Sequence, residues 1–281
     1  MYPLLFELGP VSIFGRELGP LSIYSYGLLL ATAYINGLLF ALRRADRAGL
    51  NGQRVMDLGI FVIISALVGA KLMLLVVDFD QFTSDPSQLW VLLKSGGVFY
   101  GGLLLAVPVA WWYIRRHRLP LWTTCDLFAP GIALGHAIGR MGCLMAGCCY
   151  GRATEMPWAI TFTNTLAAAN VGTPLEIALH PTQIYEAIAE LAVLAILLAG
   201  ERRWRQFPGR TFWTYLLLYP TARFMIEFYR GDPRGMVLGT IPTSQFLSAL
   251  LVPLSIVMLV WLRRQGEPDA TPAKSQRKRA A

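Results

Sequence analysis

Residues 135–151, GHAIGRMGCLMAGCCYG, set His136, Arg140, three cysteines and five glycines on an otherwise apolar run. A guanidinium in so apolar a setting is costly unless it lines a polar cavity or meets an anion. Its planar fork suits one anion in particular, a phosphate held by paired hydrogen bonds. Gly139 and Gly142 flank the arginine and would let a lipid or another backbone approach closely. The thiols of Cys143, Cys148 and Cys149 suggest a metal or redox chemistry. A closed tetrahedral metal site wants four ligands at spacings such as C-x2-C, which Cys143-x4-Cys148-Cys149 does not supply, so no metal and no cofactor is expected. A redox role stays open, and a structural pair or small buried residues at a tight helix end is the plainer reading.

Other polar side chains interrupt apolar segments elsewhere: Tyr26, Lys71, Tyr100, Gln183, Tyr185, Glu186, Glu190, Arg223, Glu227 and Gln245. Arg223 and Glu227 are four residues apart, share a helix face and can pair. The two tyrosines can serve as interfacial aromatics, Lys71 can snorkel, and Glu186 with Glu190 can form one solvent-facing edge. Arg140 has no carboxylate within a turn of its own helix, since Asp126 is too far along, and is expected to depend on an external anion.

The elements that position these residues follow from composition. Hydrophobic residues make up 55% of the chain and charged residues 15%, against about 25% charged in a soluble domain. The class is an all-α integral membrane protein. A helix crosses roughly 30 Å of hydrocarbon with about 20 apolar residues. Seven such runs occur, near 24–42, 58–77, 96–114, 123–143, 182–200, 211–229 and 243–262. Asp126, Pro130, His136 and Arg140 interrupt the fourth.

Arginines gather after the first, third, fifth and seventh runs, at Arg43, Arg44, Arg47 and Arg54, at Arg115, Arg116 and Arg118, at Arg202, Arg203, Arg205 and Arg210, and at Arg263 and Arg264. The alternate loops are poorer in them. Positive loops stay cytoplasmic, so the N-terminus is expected outside, on the periplasmic side, and the C-terminus inside. The net charge of +8 then reflects topology rather than a nucleic-acid partner. With this orientation the polar residues collect at the outer-leaflet level of nearly every span, which implies a polar cavity open to that leaflet. The expected division is one membrane domain, 1–262, with a periplasmic insertion at about 144–181, and a disordered basic tail, 263–281. The N-terminus lacks the basic region of a cleavable signal. LGPVSI (8–13) recurs as LGPLSI (18–23) in a surface hairpin or amphipathic element, and 158–164 is rich enough in β-branched residues for a short strand.

Six ordered segments carry a resemblance: SIYSYGLLL (22–30), GGVFYGGLL (96–104), DLFAPGIALGHAIGRMGC (126–143) with GCCYG (147–151), LHPTQIYEA (179–187), RFMIEFYRGDP (223–233) and TSQFLS (243–248). Together they resemble the prolipoprotein diacylglyceryl transferases. Arg140, Arg223, Glu227, Tyr26 and Gly151 match that family's pattern. Tyr100 stands where the family often has a histidine, Cys143 replaces an asparagine and Cys148 a glutamate.

The resemblance implies transfer of the diacylglyceryl group of phosphatidylglycerol to the thiol of a lipobox cysteine in a prolipoprotein signal peptide, at the inner membrane, with glycerol phosphate leaving. It implies catalytic roles for Arg140, Arg223, Tyr100, Glu227 and Tyr26. Lipid-binding positions are expected at Arg140, Arg223, Gly139, Cys143, Gly151, Gln183, Glu186 and Gln245. Membrane lipids are the other expected partners. Two alternatives belong to other classes: a membrane thiol–disulfide carrier using the three cysteines, and a lipid-binding relative without chemistry.

Overall fold

The computed structural model describes residues 2–9, 11–13, 16–18, 21–84, 97–204, 206–233, 235–237 and 239–265. Asp85, Lys94 and most of the basic tail lie outside the described residues. Among those described, seven helices have 18 or more residues: α1 (Ser25–Ala45), α2 (Gly52–Val77), α4 (Phe99–Arg116), α5 (Leu121–Ala146), α7 (Thr182–Arg203), α8 (Arg210–Glu227) and α9 (Thr243–Gln265). Two are short, α3 (Phe79–Ser84) and α6 (Thr165–Val171). Five helices, α1, α2, α5, α7 and α9, are long and apolar enough to cross a membrane. α4 and α8 begin close to where the third and sixth runs are expected, but α8 carries Arg210, Arg223 and Glu227.

Much of the apolar surface faces outward, including Ile64, Leu72 and Val76 of α2 and Leu250, Val257 and Trp261 of α9. Arg223, Glu186, Glu190 and Glu227 are buried instead. Apolar groups outside and charges inside is the arrangement that hydrocarbon selects, and the chain is a multi-pass, mostly helical membrane protein.

The chain divides into two compact units, one from Met1–Phe40 with Cys125–Thr271, the other from Ala41–Thr124 with the last ten residues. The second is built on α2 and α4. There Tyr113 stacks on His117 with ring centroids 4.2 Å apart and lies 5.5 Å from Phe61. Lys71 and Tyr100 belong to this unit.

The first unit starts with nested antiparallel ribbons. β1 (Leu4–Leu8) pairs with β4 (Leu21–Tyr24), with Glu7 opposite Ser22, and β2 (Val11–Ile13) pairs with β3 (Arg16–Leu18). Each copy of the repeat therefore straddles both ribbons, with VSI (11–13) in β2 and LSI (21–23) in β4. Ser25 fixes the ribbon to α1, its Oγ donating to the Tyr2 carbonyl at 2.7 Å.

α5 packs on α1 with almost no side chain between them. A Cβ on Gly131 would lie 2.5 Å from the Gly37 carbonyl oxygen, so glycine here permits the close helix contact that small residues give in membranes. On its other face α5 meets α7 and α8 through Ala129, Ala133, Val193, Leu197 and Tyr215. Asp126, which interrupts the fourth apolar run, accepts from Gly209 N at 2.7 Å and Phe212 N at 2.8 Å. Its carboxylate caps the start of α8, where amides lack partners within the helix.

Between α5 and α7 the chain forms β5 (Ile160–Thr161), α6 and β6 (Ala178–Leu179), with Ile160 opposite Leu179. The short strand expected within 158–164 is β5. β7 (Met236–Val237) and β8 (Ile241–Pro242) form a last hairpin before α9.

Candidate functional site

Glu186 is the centre of the polar interior. It lies one turn into α7, its side chain is 2% exposed, and three arginines converge on it. Arg140 Nε is 2.5 Å from Oε2, Arg230 Nη1 donates to Oε1 at 2.9 Å, and Arg223 Nη1 lies 3.6 Å from the same oxygen. Arg223 also pairs with Glu227 at 2.5 Å, one turn along α8. Arg230 forks onto Asp232, with Nε to Oδ1 at 2.9 Å and Nη2 to Oδ2 at 3.0 Å. Arg140 has no carboxylate within a turn of its own helix, as the sequence indicates, and finds one on another helix, Glu186.

Arg140 is the more open of the three guanidiniums, 16% exposed against 6% and 2% for Arg223 and Arg230. Beside it, a Cβ on Gly139 would meet nothing within 4 Å. The arrangement is a preorganised cluster of paired charges in which Arg140 is the guanidinium most accessible to an anion.

Arg230 was not singled out from the sequence as a site residue, although it lies within the quoted segment 223–233. Backbone pairing brings it in. Gly151 N donates to the His180 carbonyl at 3.0 Å, Arg152 N to Tyr229 at 2.8 Å, and Gly231 N to Tyr150 at 3.1 Å. The strip 150–152 is thus held between the residues before α7 and those after α8. A Cβ on Gly151 would fall 2.5 Å from both Cβ and O of His180, so here glycine serves the joint between these segments.

The thiols form the next layer. Gly147 and Cys149 both have left-handed φ, +83° and +65°. For Cys149 that costs about 1–2 kcal/mol. Two fully buried side chains hold the turn: Gln183 Nε2 donates to the Cys148 carbonyl and Thr182 Oγ1 to the Cys149 carbonyl, each at 2.7 Å. Gln183, expected at the lipid, thus has its amide nitrogen engaged on the turn. The turn folds the thiols back over Arg140, whose Nη1 lies 3.5 Å from Cys149 Sγ and 4.0 Å from Cys143 Sγ. The Cys149 thiol is pulled below its ordinary value by hydrogen bonds from the Cys143 and Cys148 thiols, then by the charges of Arg230 and Arg140. All four cysteines are free. The sulfurs of Cys143, Cys148 and Cys149 lie within 4.8 Å of one another. They could contact one thiophilic ion, one ligand short of a closed tetrahedral set.

His136 and Glu190 complete the interior. Arg140 Nε donates to His136 Nε2 at 3.1 Å, and His136 Nδ1 lies 2.6 Å from Glu190 Oε1. Tyr219 meets the imidazole edge-on, with centroids 5.0 Å apart. Tyr26 lies against Gly142, where an added Cβ would sit 3.3 Å from its ring. Gln245 reaches the Phe224 carbonyl at 3.4 Å, at the last turn of α8. Within the first unit the structure thus gathers Arg140, Arg223, Glu227, Glu186, Cys143, Gly139 and Tyr26, while Tyr100 belongs to the other unit.

Residues 14–261 match the family model described as prolipoprotein diacylglyceryl transferase. The phosphatidylglycerol–prolipoprotein diacylglyceryl transferase of Clostridium tetani is 35% identical over 214 residues, 76% of this chain and 83% of that protein. The protein of Clostridium perfringens named as the second such transferase is 33% identical, covering 75% of this chain and 80% of its own length. That of Vibrio campbellii is 32% identical over 269 residues, 94% of this chain and 92% of that protein. A match over nearly the whole membrane body, together with relatives of similar length, leads to one statement of kinship: the chain belongs to the prolipoprotein diacylglyceryl transferase family.

Proposed function

We propose that the protein transfers the diacylglyceryl group of phosphatidylglycerol to the lipobox cysteine thiol of a prolipoprotein signal peptide. It releases glycerol phosphate and leaves a thioether. The carrying observation is the convergence of Arg140, Arg223 and Arg230 on buried Glu186, in a chain whose relatives bear this activity in their names.

The chemistry fits the cluster. When the glyceryl carbon–oxygen bond breaks, a phosphate diester becomes a monoester and gains negative charge. Fixed cations shielded from bulk water stabilise such a gain without reorganising. Arg140 is the guanidinium within reach of the lipid phosphate. Arg223 and Arg230, held by Glu227 and Asp232, keep Glu186 in place so that Arg140 stays oriented. The carbon attacked is saturated, so in-line placement of thiol and leaving oxygen governs the rate. Gly139 leaves room for the lipid beside Arg140. Tyr26, Cys143 and Gln245 belong to the lipid-facing wall in this reading, Gln183 and Gly151 hold the segments behind it, and no cofactor takes part.

The topology in this reading is seven spans in the bacterial inner membrane, with the N-terminus and the 144–181 insertion periplasmic and the tail cytoplasmic. Residues 1–262 form the transferase domain. The site then faces the side from which signal peptides present their cysteine.

The test is incubation of the purified chain with phosphatidylglycerol and a lipobox peptide. Thioether-linked diacylglyceryl on the peptide is the expected product, and its absence would reject the reading. Replacing Cys143, Cys148 and Cys149 together by Ser separates the thiol–disulfide alternative, because a transferase keeps much of its activity and a redox carrier loses all of it.

A further inference from the structure

Glu190 has no duty in the phosphate-holding scheme, yet its side chain is only 2% exposed. Among the described residues no hydrogen bond reaches either of its oxygens, and His136 is its ion-pair partner. Leaving a buried carboxylate without a partner is strongly destabilising, and His136 Nδ1, 2.6 Å from Oε1, is the group placed to meet it.

Geometry sets where a proton would enter. The Arg140 Nε–H points at His136 Nε2, so the ring hydrogen sits on Nδ1, toward Glu190, and Nε2 carries the lone pair. At 22% exposed, His136 is reachable where Glu190 is not. Nε2 is one hydrogen bond from the guanidinium assigned to the lipid phosphate. Tyr219 on α8 faces the ring, and Glu186 on α7, Cys143 on α5 and Cys149 on the turn face the Arg140 guanidinium that donates to it. Glu227 is already engaged by Arg223.

Resting on the transferase reading, we infer that His136 accepts the proton of the incoming thiol and that Glu190 is its positioning residue. The sulfur–hydrogen bond breaks and the proton moves to Nε2, whose lone pair is released as the Arg140 Nε–H turns to Glu186 Oε2, 2.5 Å away. The freed sulfur pair forms the bond to the glyceryl carbon, and the carbon–oxygen pair departs with the phosphate. The imidazolium, balanced by Glu190, then hands its proton to the glycerol phosphate or to water. No oxidant or further reactant is needed.

The experiment measures kcat and KM against pH for the full-length chain and for His136→Ala, His136→Gln and Glu190→Gln, with thermal melting of each. Both His136 substitutions should lower kcat near neutral pH by on the order of 10²–10⁴, with KM little changed. The deficit should narrow as pH passes the peptide thiol's own value of about 8.5. Added imidazole should restore part of the His136→Ala rate. Glu190→Gln removes the charge that favours imidazolium, so the acid limb of the profile should move to lower pH. Well-folded His136 variants within about a factor of three of wild type at all pH values would overturn the assignment. So would a wild-type profile without an acid limb. If the His136 variants do not fold, an unmoved acid limb in Glu190→Gln overturns it. A wild-type chain that transfers nothing would instead reject the transferase reading itself.

Discussion

Glu186 is shared by three guanidiniums, and that sharing predicts how their removal differs. Without Arg140, Glu186 keeps Arg230 at 2.9 Å, so Arg140→Ala should melt near wild type. Without Arg223, Glu227 loses an ion-pair partner in a buried site. Breaking such a pair costs about 3–5 kcal/mol, and Arg223→Ala should show that loss as a lowered melting temperature. Cys143 lies beside Arg140 without completing any ion pair, so Cys143→Asn should retain transfer in the peptide assay. Arg140, Arg223 and Glu227 were legible in the sequence because a charge in an apolar run demands a reason. Arg230 was harder to see, since it lies past the end of α8, where arginine is ordinary. The His136–Glu190 pair was invisible because its members are 54 positions apart on different helices.

The helices themselves were well marked by hydropathy. What hydropathy could not show is how they meet. Asp126 reads as a blemish in the fourth span, and the structure makes it the cap of α8. Asp126→Ala should therefore lower stability by about 0.5–2 kcal/mol, the usual value of a cap, in thermal or denaturant melting, with α8 the part that frays. Gly131 and Gly37 look like two glycines among 26, but they are where α5 and α1 touch backbone to backbone. Gly131→Leu should separate these helices and destabilise the protein by at least the 1–3 kcal/mol typical of overpacking, whereas Gly139→Ala, facing open space, should leave the melting temperature unchanged or raised. The same residue type thus has opposite expectations eight positions apart on one helix, and only the fold separates them.

For the whole molecule, the alternation of arginine-rich loops predicts that a reporter fused after Arg264 reads cytoplasmic and one inserted near Asp85 reads periplasmic. Both on one side would refute seven spans. The family was legible because six motifs occur in order, while the departures at Tyr100, Cys143 and Cys148 obscured which group handles the proton. The central claim is that the open guanidinium at the top of the Glu186 cluster holds the lipid phosphate as it leaves. The most direct measurement compares diacylglyceryl transfer from phosphatidylglycerol to a lipobox peptide by wild type, Arg140→Lys and Arg140→Ala, each shown to be folded. Losing one preorganised donor removes about 2–4 kcal/mol of transition-state stabilisation, so Arg140→Ala should lose nearly all transfer, and Arg140→Lys should bind the lipid and turn over poorly for want of the planar fork. A folded Arg140→Ala variant that transfers at close to the wild-type rate would contradict the account.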